Sequence, residues 1–69
     1  MRFKKGDLVR NRRFVDSVGL VEDSRPISLN SDLGWNRVLW IVHPDQRLEN
    51  KSDYLSDYNL ERIITDEVR

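Results

Sequence analysis

The stretch Arg37-Val38-Leu39-Trp40-Ile41-Val42-His43-Pro44-Asp45, RVLWIVHPD, decides how the rest of the chain is read. Val38 to Val42 is the longest uninterrupted apolar run, and it is β-branched and aromatic. Such residues favour a pleated strand, because Val and Ile lose side-chain freedom in a helix. His43-Pro44-Asp45 then ends the strand, since proline cannot donate to a ladder and Pro-Asp opens a turn. With apolar side chains on both faces, the strand over 37–42 is expected to be central and largely buried. Alternation puts Trp40 on the core face with Val38 and Val42.

Four weaker strands flank it. Lys4-Lys5-Gly6-Asp7 is a turn that feeds a short strand at Leu8, Val9 and Arg10. Gly19 punctuates a second strand in Ser17-Val18-Gly19-Leu20-Val21-Glu22-Asp23-Ser24. Residues 24–36, SRPISLNSDLGWN, are rich in Pro, Ser, Asn, Asp and Gly and read as a long surface loop, with a short extended piece at most over Ile27 to Leu29. A polar loop from Pro44 to about Glu49 leads to a strand near Lys51 to Leu55. Ser56-Asp57-Tyr58-Asn59 has the residues of one tight helical turn, and Leu60 to Ile64 closes the pattern before a charged tail at 65–69. Nothing repeats, and no window of a dozen residues keeps helical spacing. The expectation is an all-β fold: a single five-stranded antiparallel barrel over residues 1–69, its core at about 3–64, with one short helical turn before the last strand. Val9, Val21, Val38, Trp40, Leu60 and Ile63 are the expected core, with Phe3 packed at one end.

The order KKGDLVR, VGLVED, a loop, WNRVLWIV and a closing YNLERI resembles SH3-like barrels of the KOW and Tudor kind, and short phage-encoded proteins of that shape. In those folds a Gly-Asp turn feeds the first strand, a Gly-x-Val marks the second and a one-turn helix precedes the last. The resemblance runs from Phe3 to Ile64. It implies a non-catalytic interaction module, such as a protein-binding adaptor acting in a host cytoplasm. The second glycine here is not followed by the basic, RNA-facing loop of KOW elements.

His43-Pro44-Asp45 is also the triplet by which J-domain co-chaperones engage Hsp70. There it sits between two antiparallel helices, the first carrying basic residues at helical spacing; here a β-branched run precedes it and no amphipathic repeat follows. His43 is therefore expected in an exposed loop. It has no neighbouring nucleophile or oxyanion site in the sequence, so it is not expected to act as a catalytic base.

Sixty-nine residues make one domain, which buries only roughly 60% of the surface its unfolded chain exposes. With no cysteine there is neither a disulfide framework nor a thiolate metal site. A lone histidine with scattered carboxylates offers little for zinc. Asp53, Asp57 and Glu61 would share a face only in a helix, for which the segment gives little support. No enzyme activity, cofactor or metal is expected. The amino terminus lacks a signal-length apolar run and no segment is long enough to span a membrane, so the chain is expected in the cytoplasm.

The net charge is zero, yet unevenly placed. Residues 1–13 hold six basic side chains and one acid, a net of +5, and residues 14–69 hold six basic and eleven acidic, a net of −5. Either the basic strand pairs with acidic strands such as that of Glu22 and Asp23, or Lys4, Lys5, Arg10, Arg12 and Arg13 form a patch for phosphates or an acidic partner. For a phosphate-tracking stripe, Arg10 and Arg12 would share a strand face. Trp35 in the loop and Tyr54 and Tyr58 near the helical turn either lid a small core or form a binding cluster of the kind that holds extended peptides, methylated side chains or bases. Three roles follow: binding a protein partner, binding single-stranded nucleic acid or RNA through the basic strand, or self-association as a weak homodimer through barrel edges.

Overall fold

The structure, a computed structural model, describes residues 3–30 and 32–63. Strands β1 (Leu8–Asn11), β2 (Phe14–Pro26), β3 (Gly34–Val42), β4 (Ser52–Ser56) and β5 (Leu60–Arg62) form one antiparallel sheet in the order β4-β3-β2-β1-β5, and a 3-10 turn at Asp57–Asn59 precedes β5. All five expected strands and the helical turn are present. The sheet is not closed on itself: β4 and β5 are its two edges. The expected tail at 65–69 and the last residue of the LERII strand lie outside the described residues.

β1 is entered through the expected turn. Gly6 takes φ 95°, a conformation that a side chain disfavours, while Asp7 N–H bonds the Lys4 carbonyl and Lys4 N–H bonds the Asp7 carboxylate in return. Across the chain the Arg62 guanidinium reaches Asp7 at 3.0 Å and lies over the Phe3 ring, which fastens the start of the fold to its last strand.

β2 holds the sheet together, because it pairs with β1 through Leu8↔Leu20 and with β3 from Val18↔Val42 to Pro26↔Gly34. Register shifts interrupt both ladders, between Val9 and Asn11 and again at Val18/Gly19 and Val21/Asp23. Bulges of this kind bend a strand and increase its twist, so β2 can serve neighbours that are not coplanar.

The long loop expected over 24–36 is mostly strand. β2 runs on to Pro26 and β3 begins at Gly34, so the connection is only 27–33, pinned by Ile27 N–H to the Leu33 carbonyl. Turn-forming composition misled here because pairing partners were supplied by the other arm of the same hairpin: Ser24↔Asn36 and Arg25↔Trp35 satisfy one another's backbones.

Phe3, Val9, Val21, Val38, Trp40, Leu55 and Leu60 form the core. Six of the seven expected positions are among them. Ile63 is half-buried instead, lying just past β5, and Leu55 takes a core place. β3 buries mainly one face: Ile41 on the outer face is exposed, and Val42, expected on the core face, is exposed as well because it lies at the end of the ladder. Trp40 packs on Gly19, whose backbone faces it directly across the sheet. A Cβ added at Gly19 would stand 2.7 Å from Trp40 Cε3 and closer still to Val38 Cγ1.

His43 is buried, not exposed. Its ring sits 4.9 Å from Phe14 and 5.3 Å, edge-on, from Trp40, and Nδ1 accepts a hydrogen bond from Asp45 N–H at 2.9 Å. Proline ends the ladder as expected, but the turn it starts folds the preceding side chain inward over the open end of the core. Asn50, at φ 64°, returns the chain to β4 by donating its N–H to the Trp40 carbonyl.

Replacing Gly19 by Ala is expected to destabilise the fold by about 1–3 kcal/mol through overpacking against Val38 and Trp40. For a domain of this size the midpoint should fall by roughly 5–20 °C, read by circular dichroism during thermal unfolding.

Candidate functional site

Alternation along β3 turns Trp35 and Arg37 to the outer face while Asn36 and Val38 point inward. Cross-strand register then sets Arg25 of β2 opposite Trp35, Asp23 opposite Arg37, and Tyr54 of β4 on the far side of Arg37. These five side chains line a shallow concavity of about 230 Å³. Trp35 is 49% and Tyr54 65% exposed, so neither serves as a lid on the core.

Charges within this surface are matched. Arg25 Nε lies 3.1 Å from Asp23, and Arg37 Nε lies 3.2 Å from Glu22, which also accepts from the Ser52 hydroxyl. The Tyr54 hydroxyl beside Arg37, with Glu22 close by, holds that guanidinium above its ordinary pKa, and Arg25 holds the Asp23 carboxyl below its own. A second hollow, of about 350 Å³, is lined by Lys5, Gly6, Leu20, Val21, Glu22 and Arg37. Arg37 borders both.

The remaining candidates do not join this face as one cluster. Tyr58 is exposed on the 3-10 turn and does not line the concavity. Lys4 and Lys5 are exposed in the turn before β1, and Arg13 in the turn between β1 and β2. Arg10 lies 3.8 Å from Glu61 of β5, an ion pair too long for a hydrogen bond, so its buried Nε has no hydrogen-bond partner. Arg12 falls beyond the end of β1 and donates from Nε to the Leu60 carbonyl, so Arg10 and Arg12 do not form a stripe along one strand. The basic strand does pair with the strand that holds Glu22 and Asp23: β1 meets the Gly19-Leu20 part of β2, while the charge partner of Arg10 is Glu61 of β5.

Beneath the aromatic face lies a polar knot that sequence reasoning missed. The Asp57 carboxyl is fully buried and accepts from Gly34 N–H at 2.9 Å and from Asn36 Nδ2 at 2.8 Å. Asn36 Nδ2 also donates to the Leu55 carbonyl, and Asn36 Oδ1 accepts from the Ser24 hydroxyl at 2.6 Å. One network therefore ties β2, β3, β4 and the 3-10 turn together directly under Trp35. The available signal was the position of Asn36, a polar residue on the inward parity of the strongest strand. A buried amide at such a position needs partners.

Among the described residues no group of three or more His, Cys, Asp or Glu side chains is placed to hold a metal ion, and no helix is long and apolar enough to cross a membrane. No family model, curated protein or solved structure matches the chain.

Asp57→Asn exchanges one acceptor for an amide donor that must face either Gly34 N–H or Asn36 Nδ2. It is expected to cost about 1–3 kcal/mol in urea unfolding. Asp53→Asn on the β4 edge should cost far less, and the reverse order would show that the knot does not hold the sheet.

Proposed function

We propose that the chain is a non-catalytic interaction module, an open SH3-like barrel that holds a protein partner against the outer face of β2, β3 and β4. The strand order and the 3-10 turn before β5 support the barrel relationship. The observation that carries the binding role is the pairing of half-exposed Trp35 with exposed Tyr54 around a concavity whose charges already satisfy each other. Rigid aromatics beside arginine are the side chains that dominate the energy of protein interfaces. The β-sheet holds both at fixed spacing, so little entropy is lost when a partner covers them.

Nucleic acid is the second reading, favoured by the exposed cations Lys4, Lys5 and Arg13. Phosphate affinity needs a local excess of positive charge, and the aromatic face has none: Arg25 and Arg37 are balanced by Asp23 and Glu22. Bases stacked on Trp35 would leave their phosphates without matched cations.

Capture from cell lysate should return a saturable protein partner that Trp35→Ala with Tyr54→Ala loses, by about 2 kcal/mol or more per anchor. The double variant should keep its thermal midpoint, since both rings are largely outside the core. Amide shifts produced by single-stranded oligonucleotides, mapping to Arg10–Arg13 and fading with salt, would replace this reading with the nucleic-acid one.

A further inference from the structure

The two edges of the sheet are guarded very differently. β5 is three residues long and carries Glu61 and Arg62, so it is short and charged, as protected edges are. β4 has five residues, Ser52-Asp53-Tyr54-Leu55-Ser56, without lysine, proline or a register shift against β3. Trp40 N–H bonds the Lys51 carbonyl, so by antiparallel alternation Asp53 and Leu55 make the ladder bonds to β3. Ser52, Tyr54 and Ser56 then turn their backbone groups toward the open side. One observation marks that direction: Tyr54 N–H has no strand partner and is occupied by the Asp53 carboxylate of its own neighbour at 2.9 Å.

We propose that β4 pairs with β4 of a second copy across a two-fold axis at Tyr54, joining the two sheets into one. The strand is self-complementary. With the axis at Tyr54, each Tyr54 N–H meets the Tyr54 carbonyl of the second copy, and each Ser56 N–H meets the Ser52 carbonyl. The outward-facing residues oppose one another as Tyr with Tyr and Ser with Ser. The intervening pair is Asp53 with Leu55. No charge faces a like charge at any position, and the rings of the two Tyr54 residues lie side by side on the outer face, as stabilising cross-strand pairs do. Asp53 gives up Tyr54 N–H to the second copy and turns to water. The pairing is isologous and closes, so it stops at two chains. The strand is short, so the dimer belongs among weak interfaces, forming between micromolar and millimolar concentration.

Ser56→Pro tests this with little disturbance to the monomer. Ser56 already has φ −76°, the value proline imposes, and its N–H faces the open edge, where proline is tolerated. Sedimentation velocity over a concentration series should show the wild-type chain passing from monomer to dimer, and Ser56→Pro remaining a monomer with an unchanged circular dichroism spectrum and midpoint. Tyr54→Lys, which sets two cations against each other on the axis, should also remain a monomer, at some cost in midpoint because the lysine faces Arg37 across the β3–β4 ladder. In a dimer mixed from labelled and unlabelled chains, the close Cα approach of a non-hydrogen-bonded pair predicts an intermolecular Overhauser contact between Asp53 Hα and Leu55 Hα. A wild-type chain that stays monomeric at millimolar concentration overturns the proposal. So does a dimer that Ser56→Pro leaves intact, or one lacking that contact. Because Ser56→Pro leaves Trp35 and Tyr54 in place, loss of the dimer with capture of a protein partner retained would separate this edge from the aromatic face.

Discussion

The buried carboxyl of Asp57 is the constraint on which the architecture rests. It sits on a three-residue turn that has no side-chain cap of its own, yet it reaches both Gly34 at the start of β3 and Asn36 two residues on. Those bonds set where β3 begins relative to the chain that follows β4. Asn36 extends the link to Ser24 of β2 and the Leu55 carbonyl of β4. A one-residue slip of β3 would bring Trp35 inward and leave the Asp57 carboxyl facing apolar side chains, which is far costlier than a slip in a purely apolar core. The outer face inherits its geometry from this: Trp35 and Arg37 flank Asn36 in sequence and so flank the knot in space.

A second fixed point lies toward the other end of β3, where Trp40 covers Gly19 and His43 covers Trp40. The ring of His43 contributes a backbone-bonded Nδ1 and two aromatic contacts, while His43 Nε2 and Trp40 Nε1 are buried with no hydrogen-bond partner. Stability at this end comes from packing. The network around Asp57, by contrast, satisfies its polar groups, so the two ends of one strand are secured by different physics.

Much of the fold was legible from local signals that agree with the final pairing. The β-branched run Val38–Val42, the Gly6 turn, the Ser56–Asn59 turn and the short closing strand all depend on chemistry within a few residues. Legibility failed where partners distant in sequence decided the outcome. Ser24 to Pro26 and Gly34 to Asn36 look like loop but become strand by pairing with each other. Asp57 looked like a turn acid and is an interior acceptor, and His43 looked exposed because its covering residue, Phe14, comes from another strand. Of the candidate surface, Trp35 and Tyr54 do meet, which follows from the β3–β4 register and not from anything in their immediate sequence. Basic residues crowded at the start of the chain were separated by the fold, because β1 places successive side chains on opposite faces and its turns carry the others away.

Strand order also has a consequence for how the chain reaches this state. β2, β3 and β4 are joined as successive hairpins, and β1 pairs with β2 across a two-residue turn. Only β5 must travel: it docks on β1, with Val9 opposite Arg62, bringing together parts of the chain from its two ends. Closing so long a loop costs entropy that no local contact repays, so this pairing is rewarded only after the meander exists to receive it. The Asp57 turn immediately before β5 shortens that loop, since its carboxyl is anchored on Gly34 and Asn36 and Leu60 follows only three residues on. The same carboxyl that fixes the register of β3 thereby also shortens the loop that the closing strand must span.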